Sequence, residues 1–281
     1  MRQITAGIVT FNPDIGRLKE NIDAIYDQVP TLVIVDNGSD NLQEISDLLK
    51  SYTNTYIEPL GENKGIAAAQ NVMCRWAKEN EYEWIITLDQ DSVSPEGLVL
   101  EYERVIKSYD NIGIICPRVL DRNFGEINYG IEHNGIEEVP QCIASASAVN
   151  LAAWKAVGEF YEPLFIDAVD FDICWTLLEN GYKILRTNNV NLLHEVGHSR
   201  KVYFAGKERL ILNHSPLRYY YIIRNSFITG RRHKRLLRNL RACVRMVYQV
   251  NKYETNRHAK NKMLWLGFWD GLLGKCGKFN H

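Results

Sequence analysis

The stretch "WIITLDQDS", residues 84–92, decides how this chain is read. A short apolar and β-branched run, Trp84 to Leu88, has the length and composition of a buried strand. It ends in Asp89-Gln90-Asp91, two carboxylates one residue apart. Working outward, the same arrangement occurs twice upstream. "ITAGIVTF" (4–11) reads as a strand ending in Asn12, and "TLVIVDNGS" (31–39) as a strand ending in Asp36 and Asn37. Helical patterns separate them. "IGRLKENIDAIYDQ" (15–28) spaces Leu18, Ile22 and Ile25 along one face, and "NLQEISDLLKSY" (41–52) does the same with Leu42, Ile45, Leu48 and Leu49. "NTYIEPL" (54–60) is a third strand, and the Ala-rich "NKGIAAAQNVMCRWAKEN" (63–80) is a helix. "PEGLVLEYERVIKSY" (95–109) starts on Pro, as helices often do, and "IGIICPRVL" (112–120) is a fifth strand.

Strands alternating with helices imply β-α-β units, an α/β fold and a mostly parallel sheet flanked by helices. Such sheets bind ligands beyond the carboxyl ends of their strands. Aspartates placed there need not be buried. After about residue 125 the pattern is less regular. "QCIASASAVNLAAWKAVGEF" (141–160) suggests a strand then a helix, and "FIDAVDFDICWTLLENGYKI" (165–184) an acidic loop entering a helix. "LLHEVGHS" (192–199) closes another strand-like run. We expect a catalytic domain over 1–212 and a mainly helical, basic region over 213–281.

The near-neutral total charge hides that division. Residues 199–281 carry 19 Lys or Arg and three acids, a net of +16, leaving a net of −17 for residues 1–198. Regions so different in charge face different partners. The six cysteines form no C-x-x-C pair, which argues against a zinc site and suits a reducing cytoplasm. We see no signal peptide at the start and no apolar run long enough to span a membrane.

Asp-x-Asp at a strand end suits Mg²⁺ or Mn²⁺ bridging a diphosphate, because hard cations prefer carboxylate oxygens and leave room for phosphate. The same residues could instead cap a following helix, with Asp91 or Ser92 as the cap. "DNGSD" also reads as a plain turn. The phosphate-binding pattern G-x-x-x-x-G-K-[ST] and the dinucleotide pattern G-x-G-x-x-G are both absent.

Taken together, "TFNPDIGRLKENIDAI", "VIVDNGSDN", "GENKGIAAAQN" and "ITLDQDS" closely resemble the inverting glycosyltransferases of family 2, which have the GT-A fold. Within them, bacterial rhamnosyltransferases of surface-polysaccharide assembly are the most similar, over roughly residues 3–230. The resemblance implies a nucleotide-sugar donor, dTDP-rhamnose foremost, with UDP-hexose or UDP-galactofuranose as the alternative. It implies a saccharide acceptor on a lipid carrier. Thr10, Phe11, Asn12, Asp36, Asn37, Asn63, Gly65 and Asp89 would hold the nucleotide, and Asp89, Asp91 and His194 the metal, with His198 as the alternate. Inverting transfer needs a base to deprotonate the acceptor hydroxyl. Asp170 matches that base, with Asp172 as helper and Asp167 as the other candidate. Val169 departs from the glutamate common there. Arg224, or Arg218, would meet a phosphate on donor or acceptor.

"GRRHKRLLRNLRACVRMVYQVNK" (230–252) interleaves cations with Leu236, Leu237, Leu240, Val244 and Val247, which gives a basic amphipathic helix. Such a helix suits an anionic membrane surface, and we take that in preference to nucleic acid. Trp265, Phe268 and Trp269 suit the same interface. The expected protein is therefore peripheral at the inner face of the cell membrane, with a homodimer among the options. The rival readings are a sugar nucleotidyltransferase, which would need a Gly-rich basic loop where "TFNPDIG" stands, and an adaptor acting through its basic tail.

Overall fold

A computed structural model of the protein describes residues 4–121, 125–126, 135–194, 200–204, 207–211 and 213–280. The chain forms two compact units, one of residues 1–162 with 169–195 and the other of residues 163–168 with 196–281.

The first unit begins with β1 (Ile4–Thr10), α1 (Ile15–Tyr26), β2 (Leu32–Asp36), α2 (Leu42–Leu49), β3 (Thr55–Pro59), α3 (Ile66–Glu79), β4 (Trp84–Asp89), α4 (Leu98–Ser108) and β5 (Ile112–Asp121). It continues with the short β6 (Gly125–Glu126) and β7 (Ile136–Glu138), then β8 (Ser147–Asn150), α5 (Leu151–Ala156), α6 (Val169–Glu179) and β9 (Lys183–His194). Among the described residues the sheet runs β3-β2-β1-β4-β8-β5-β9-β7, with β6 beside β5. β1 pairs in parallel with β2 and with β4, while β8 lies antiparallel between β4 and β5. The sheet is therefore mixed, where the sequence suggests a mostly parallel one. The four-residue pattern of β8 identifies a strand but carries no information on its direction.

Register brings the polar strand ends together. Thr10 pairs with Asp36, and Val9 with Asp89. The apolar alternation explains why these strands form. Ile4, Ala6 and Ile8 of β1 bury on the face that receives Leu18, Ile22 and Ile25 of α1. Each fully buried aliphatic side chain contributes about 1.5–3 kcal/mol, and Ile22→Ala would cost about 2–5 kcal/mol by leaving a cavity. Asp14 starts α1 by accepting a hydrogen bond from the Arg17 amide at 2.9 Å.

The helix expected at 95–109 begins at Leu98, after Gly97 in a left-handed conformation (φ 74°) and with no side-chain cap. Neither Asp91 nor Ser92 caps it. Ser92 is buried and hydrogen-bonded to Ser145.

The second unit contains the hairpin β10 (Arg200–Phe204) and β11 (Lys207–Ile211), followed by α7 (Pro216–Arg232), α8 (Leu236–Tyr253) and α9 (Arg257–Leu273). Ser215 caps α7 and Pro216 opens it. Tyr219, Ile223, Phe227, Cys243, Val250 and Leu264 form the core of the helices. A Cβ at Gly267 would lie 2.4 Å from the Tyr220 carbonyl oxygen, so α9 meets α7 at backbone distance only because position 267 has no side chain. The stretch 230–252, read as one helix, is broken. Lys234 takes φ 53° between α7 and α8, and the Arg235 amide closes the turn onto the Gly230 carbonyl at 2.8 Å. No helix among the described residues is long and apolar enough to cross a membrane.

Candidate active site

Three adjacent strands deliver the polar edge of the first unit. At the end of β1, the Thr10 hydroxyl donates to Asp36 Oδ1 at 3.0 Å. Asp36 also accepts from the amides of Gly38 (3.1 Å) and Ser39 (2.9 Å) and from the Ser39 hydroxyl. Four donors fill the acceptor positions of a carboxylate, and Asp36 is 0% exposed. These bonds use the carboxylate to fold the β2 loop. Gly38 fits that loop because φ is 84° and a Cβ would lie 2.5 Å from the Glu62 backbone.

Asn37 ties this loop to the next one. Its side-chain carbonyl accepts from the Lys64 amide at 2.9 Å, and its amide group donates to Asn63 Oδ1 at 3.3 Å. Asn63 in turn accepts from the amide of Gly65 at 3.0 Å, where α3 begins. Asn12, left-handed at φ 47°, receives the Asp40 amide and donates its own amide to Ser39. Thr10, Asn12, Asp36, Asn37, Asn63 and Gly65 thus form one network, and Phe11 stands out from it, 43% exposed.

At the end of β4, Asp89 is half-buried and Asp91 exposed. Gln90 Oε1 accepts from the Phe11 amide at 2.8 Å, and the Asn21 amide group donates to the Asp89 carbonyl at 2.7 Å. Sequence reading missed both anchors. Asn21 had a signal, since it occupies the buried face of α1 beside Leu18, Ile22 and Ile25. Gln90 had none beyond its place between two aspartates. Among the described residues no hydrogen bond or ion pair holds the Asp91 carboxylate, and no three metal-binding side chains cluster. The donor set still fits a hard cation such as Mg²⁺, which is usually held by one or two carboxylates with water and substrate phosphate completing the shell. His194 is the last residue of β9, in register with Asp121, and only its backbone is described. His198 lies outside the described residues.

Asp170 sits in the first turn of α6, half-buried, and lines a small cavity with Thr87 of β4, Phe160 and Cys174. Asp172, two residues on, is 1% exposed. Asp167 belongs to the second unit. Its Oδ1 pairs with Arg218 Nε at 3.2 Å, while its other oxygen is buried without a partner. Burial raises its pKa, and the Arg218 charge partly opposes that rise. Asp167 and Ala168 are both left-handed. The Asn225 amide group holds this bend through the carbonyls of Leu164, Ile166 and Asp167 at 2.7–3.0 Å.

Arg224 is 1% exposed, donates to the carbonyls of Gly277 (2.5 Å) and Leu164 (2.8 Å), and lies over the Tyr221 ring at 4.8 Å.

Residues 5–155 match the family described as glycosyl transferase family 2. The dTDP-rhamnosyl transferase RfbF of Shigella flexneri is 31% identical to this chain, over 98% of this chain and 97% of its own. Among solved structures, TarS 1–349 of S. aureus superposes with a TM-score of 0.54 at 14% identity, covering 97% of this chain and 72% of its own. GalNAc-T7 with UDP, GalNAc and Mn²⁺ gives 0.55 at 14% identity, covering 80% and 47%. These structural likenesses establish the GT-A fold. With the full-length similarity to RfbF, they lead to one conclusion: the chain belongs to glycosyl transferase family 2 and is a rhamnosyltransferase-like glycosyltransferase.

Proposed function

We propose that this protein transfers L-rhamnose from dTDP-rhamnose, with inversion, to a saccharide on a lipid carrier in bacterial surface-polysaccharide synthesis. The observation that carries the reading is the 31% identity to dTDP-rhamnosyl transferase RfbF over nearly the whole of both chains. The polar edge at Thr10, Asp36 and Asp89 supports it by offering a place for the donor.

The nucleotide lies along that edge. Phe11 offers an exposed ring for a base to stack on, and Asn12, Asn37, Asn63 and Gly65 shape the loops that the nucleotide meets. Asp89 would meet the ribose or lie near the metal, and Asp91 would be the principal metal ligand, with His194 or His198 as a further one. Mg²⁺ or Mn²⁺ held there supplies positive charge against the diphosphate leaving group. Asp170 takes the proton of the acceptor hydroxyl as that oxygen bonds to the anomeric carbon and the bond to the diphosphate breaks. Asp167 is the alternative base. Asp172, being buried, supports the start of α6. The basic C-terminal region places the enzyme at the anionic inner face of the membrane, where a lipid-linked acceptor is found.

The test is a thermal-shift series with dTDP, UDP and their sugars, with and without Mn²⁺, followed by a transfer assay. A ligand that binds only the folded protein at 100 times its Kd stabilises it by about 2.7 kcal/mol. We expect dTDP-rhamnose to raise the melting temperature most. Asp91→Ala should abolish the Mn²⁺-dependent part and cut transfer about a thousandfold or more, the effect of several kcal/mol of lost metal stabilisation. A larger shift with a UDP-hexose would replace the donor, and metal-independent transfer would remove the metal.

A further inference from the structure

The turn after β4 is held by parts of the chain that lie far away in sequence. The Ser92 amide closes it by donating to the Asp89 carbonyl at 3.1 Å, and the same carbonyl receives the Asn21 amide group at 2.7 Å. Asn21 is fully buried, and its own side-chain oxygen has no partner among the described residues. An amide buried half-satisfied destabilises a fold, and a leucine would suit the apolar face of α1 better. What the asparagine supplies is a grip on the turn. At the far side of the turn, Ser92 is buried against Ser145.

A further hold comes from Gln90, and it reaches beyond the turn. Its side-chain oxygen accepts from the Phe11 amide at 2.8 Å, across 79 positions of sequence. Phe11 carries the exposed ring proposed to meet the base, and Gln90 stands between the two aspartates proposed to meet ribose and metal. On its other side the β1 loop is tied to the β2 loop. The Asn12 amide donates to the Ser39 hydroxyl at 2.8 Å, and the Asp40 amide to Asn12 Oδ1 at 2.7 Å. β1 lies between β2 and β4, so its loop is clasped from both neighbours, by Ser39 on one side and by Gln90 on the other. A metal site requires nothing of the residue between its two aspartates, whereas a side-chain acceptor there joins the metal turn to the base.

We propose that Gln90 is a positioning residue that couples the two ends of the donor site, so that nucleotide and divalent cation each strengthen the other's binding through the Phe11–Gln90 hydrogen bond. The inference rests on the proposed placement of donor and metal, and deepens it. A loop loses freedom when a ligand fixes it. Because one bond joins the two loops, fixing Phe11 on a base also fixes the turn that presents Asp91. The second ligand then meets a turn already in place. The effect is reciprocal, as binding linkage must be.

The test is calorimetric titration of the full-length protein with dTDP and with inorganic pyrophosphate, each without and with saturating Mn²⁺. The ratio of the two dissociation constants measures the coupling. Comparing that ratio between variants cancels the pairing of metal with diphosphate in solution and the direct bridge in the site. Gln90→Met keeps the length of the side chain and removes its oxygen. It should lower the dTDP ratio about threefold to tenfold, the range of one such hydrogen bond. The pyrophosphate ratio should hold, since that ligand has no base to fix the Phe11 loop. Gln90→Glu keeps an oxygen for the Phe11 amide and should retain most of the dTDP ratio. A merely structural role would lower the melting temperature of Gln90→Met and leave its ratio alone. The proposal is overturned if Gln90→Met leaves the dTDP ratio unchanged, if it lowers both ratios equally, or if Gln90→Glu does no better. If the unaltered protein binds dTDP and Mn²⁺ does not tighten it, the coupling falls while the nucleotide placement stands. If it binds neither dTDP nor UDP, the donor reading itself falls and takes the coupling with it.

Discussion

In the first unit Asp89 and Asp91 stand at the open end of a sheet, one half-buried and one exposed. In the second, Glu254 and Asp270 are buried, each between a lysine and a tyrosine. The chemical group is the same, and its surroundings give it opposite uses. An exposed carboxylate such as Asp91 costs little to leave in water, which solvates it, and it stays available to a cation. A carboxylate inside a helical core must be matched by a cation and hydrogen bonds, and once matched it contributes nothing to the outer field. The opposite net charges of the two halves therefore reach solvent as two different surfaces.

The comparison is broken most directly at Asp170. As the base, Asp170→Asn should cut transfer about 10²–10⁴-fold while the melting temperature holds. If Asp167→Asn gives the larger loss, the base belongs to the second unit and the division of roles fails. Next comes stability. Lys260→Met leaves Glu254 buried without its cation and should cost about 3–5 kcal/mol in denaturant unfolding. Asp91→Ala, at an exposed position, should stay within about 0.5 kcal/mol of wild type. Similar costs for the two would erase the distinction.

The smallest effect concerns His214, next to Tyr219. Burial, reinforced by the Arg218 charge, lowers its pKa to about 4. Its folded pKa is below its unfolded one, so between about pH 6.5 and 4 the unfolded chain binds the extra proton. Stability is then lost as pH falls through that window. Discounted for partial exposure, the loss is about 1 kcal/mol. His214→Gln should flatten that part of the stability profile, and an unchanged slope would assign it to other groups.

What was legible in the sequence was what depends on near neighbours. β1 to β5 and the helices between them follow from alternation and from helical spacing, and the strand-end polar residues fall where β-α-β geometry puts them. The direction of β8 was hidden because four residues of Ser, Ala and Val look alike either way round. The break between α7 and α8 was hidden because Lys234 takes its left-handed turn without a Gly or Pro. The surroundings of Arg224 were hidden for another reason. A helical arginine looks solvated until the carbonyls of Leu164 and Gly277 arrive from distant parts of the chain. The loop-folding partners of Asp36 were hidden for the same reason, since Thr10, 26 positions earlier, is one of its donors.

The employment of Asp36 bears on how any mutational screen of this enzyme is scored. Asp36→Ala should lower activity and yield together, because its loss spreads through Ser39 to Asn12 and the neighbouring turn. Scoring abundance beside turnover would put it in a different column from Asp91, where a healthy yield of inert enzyme is expected.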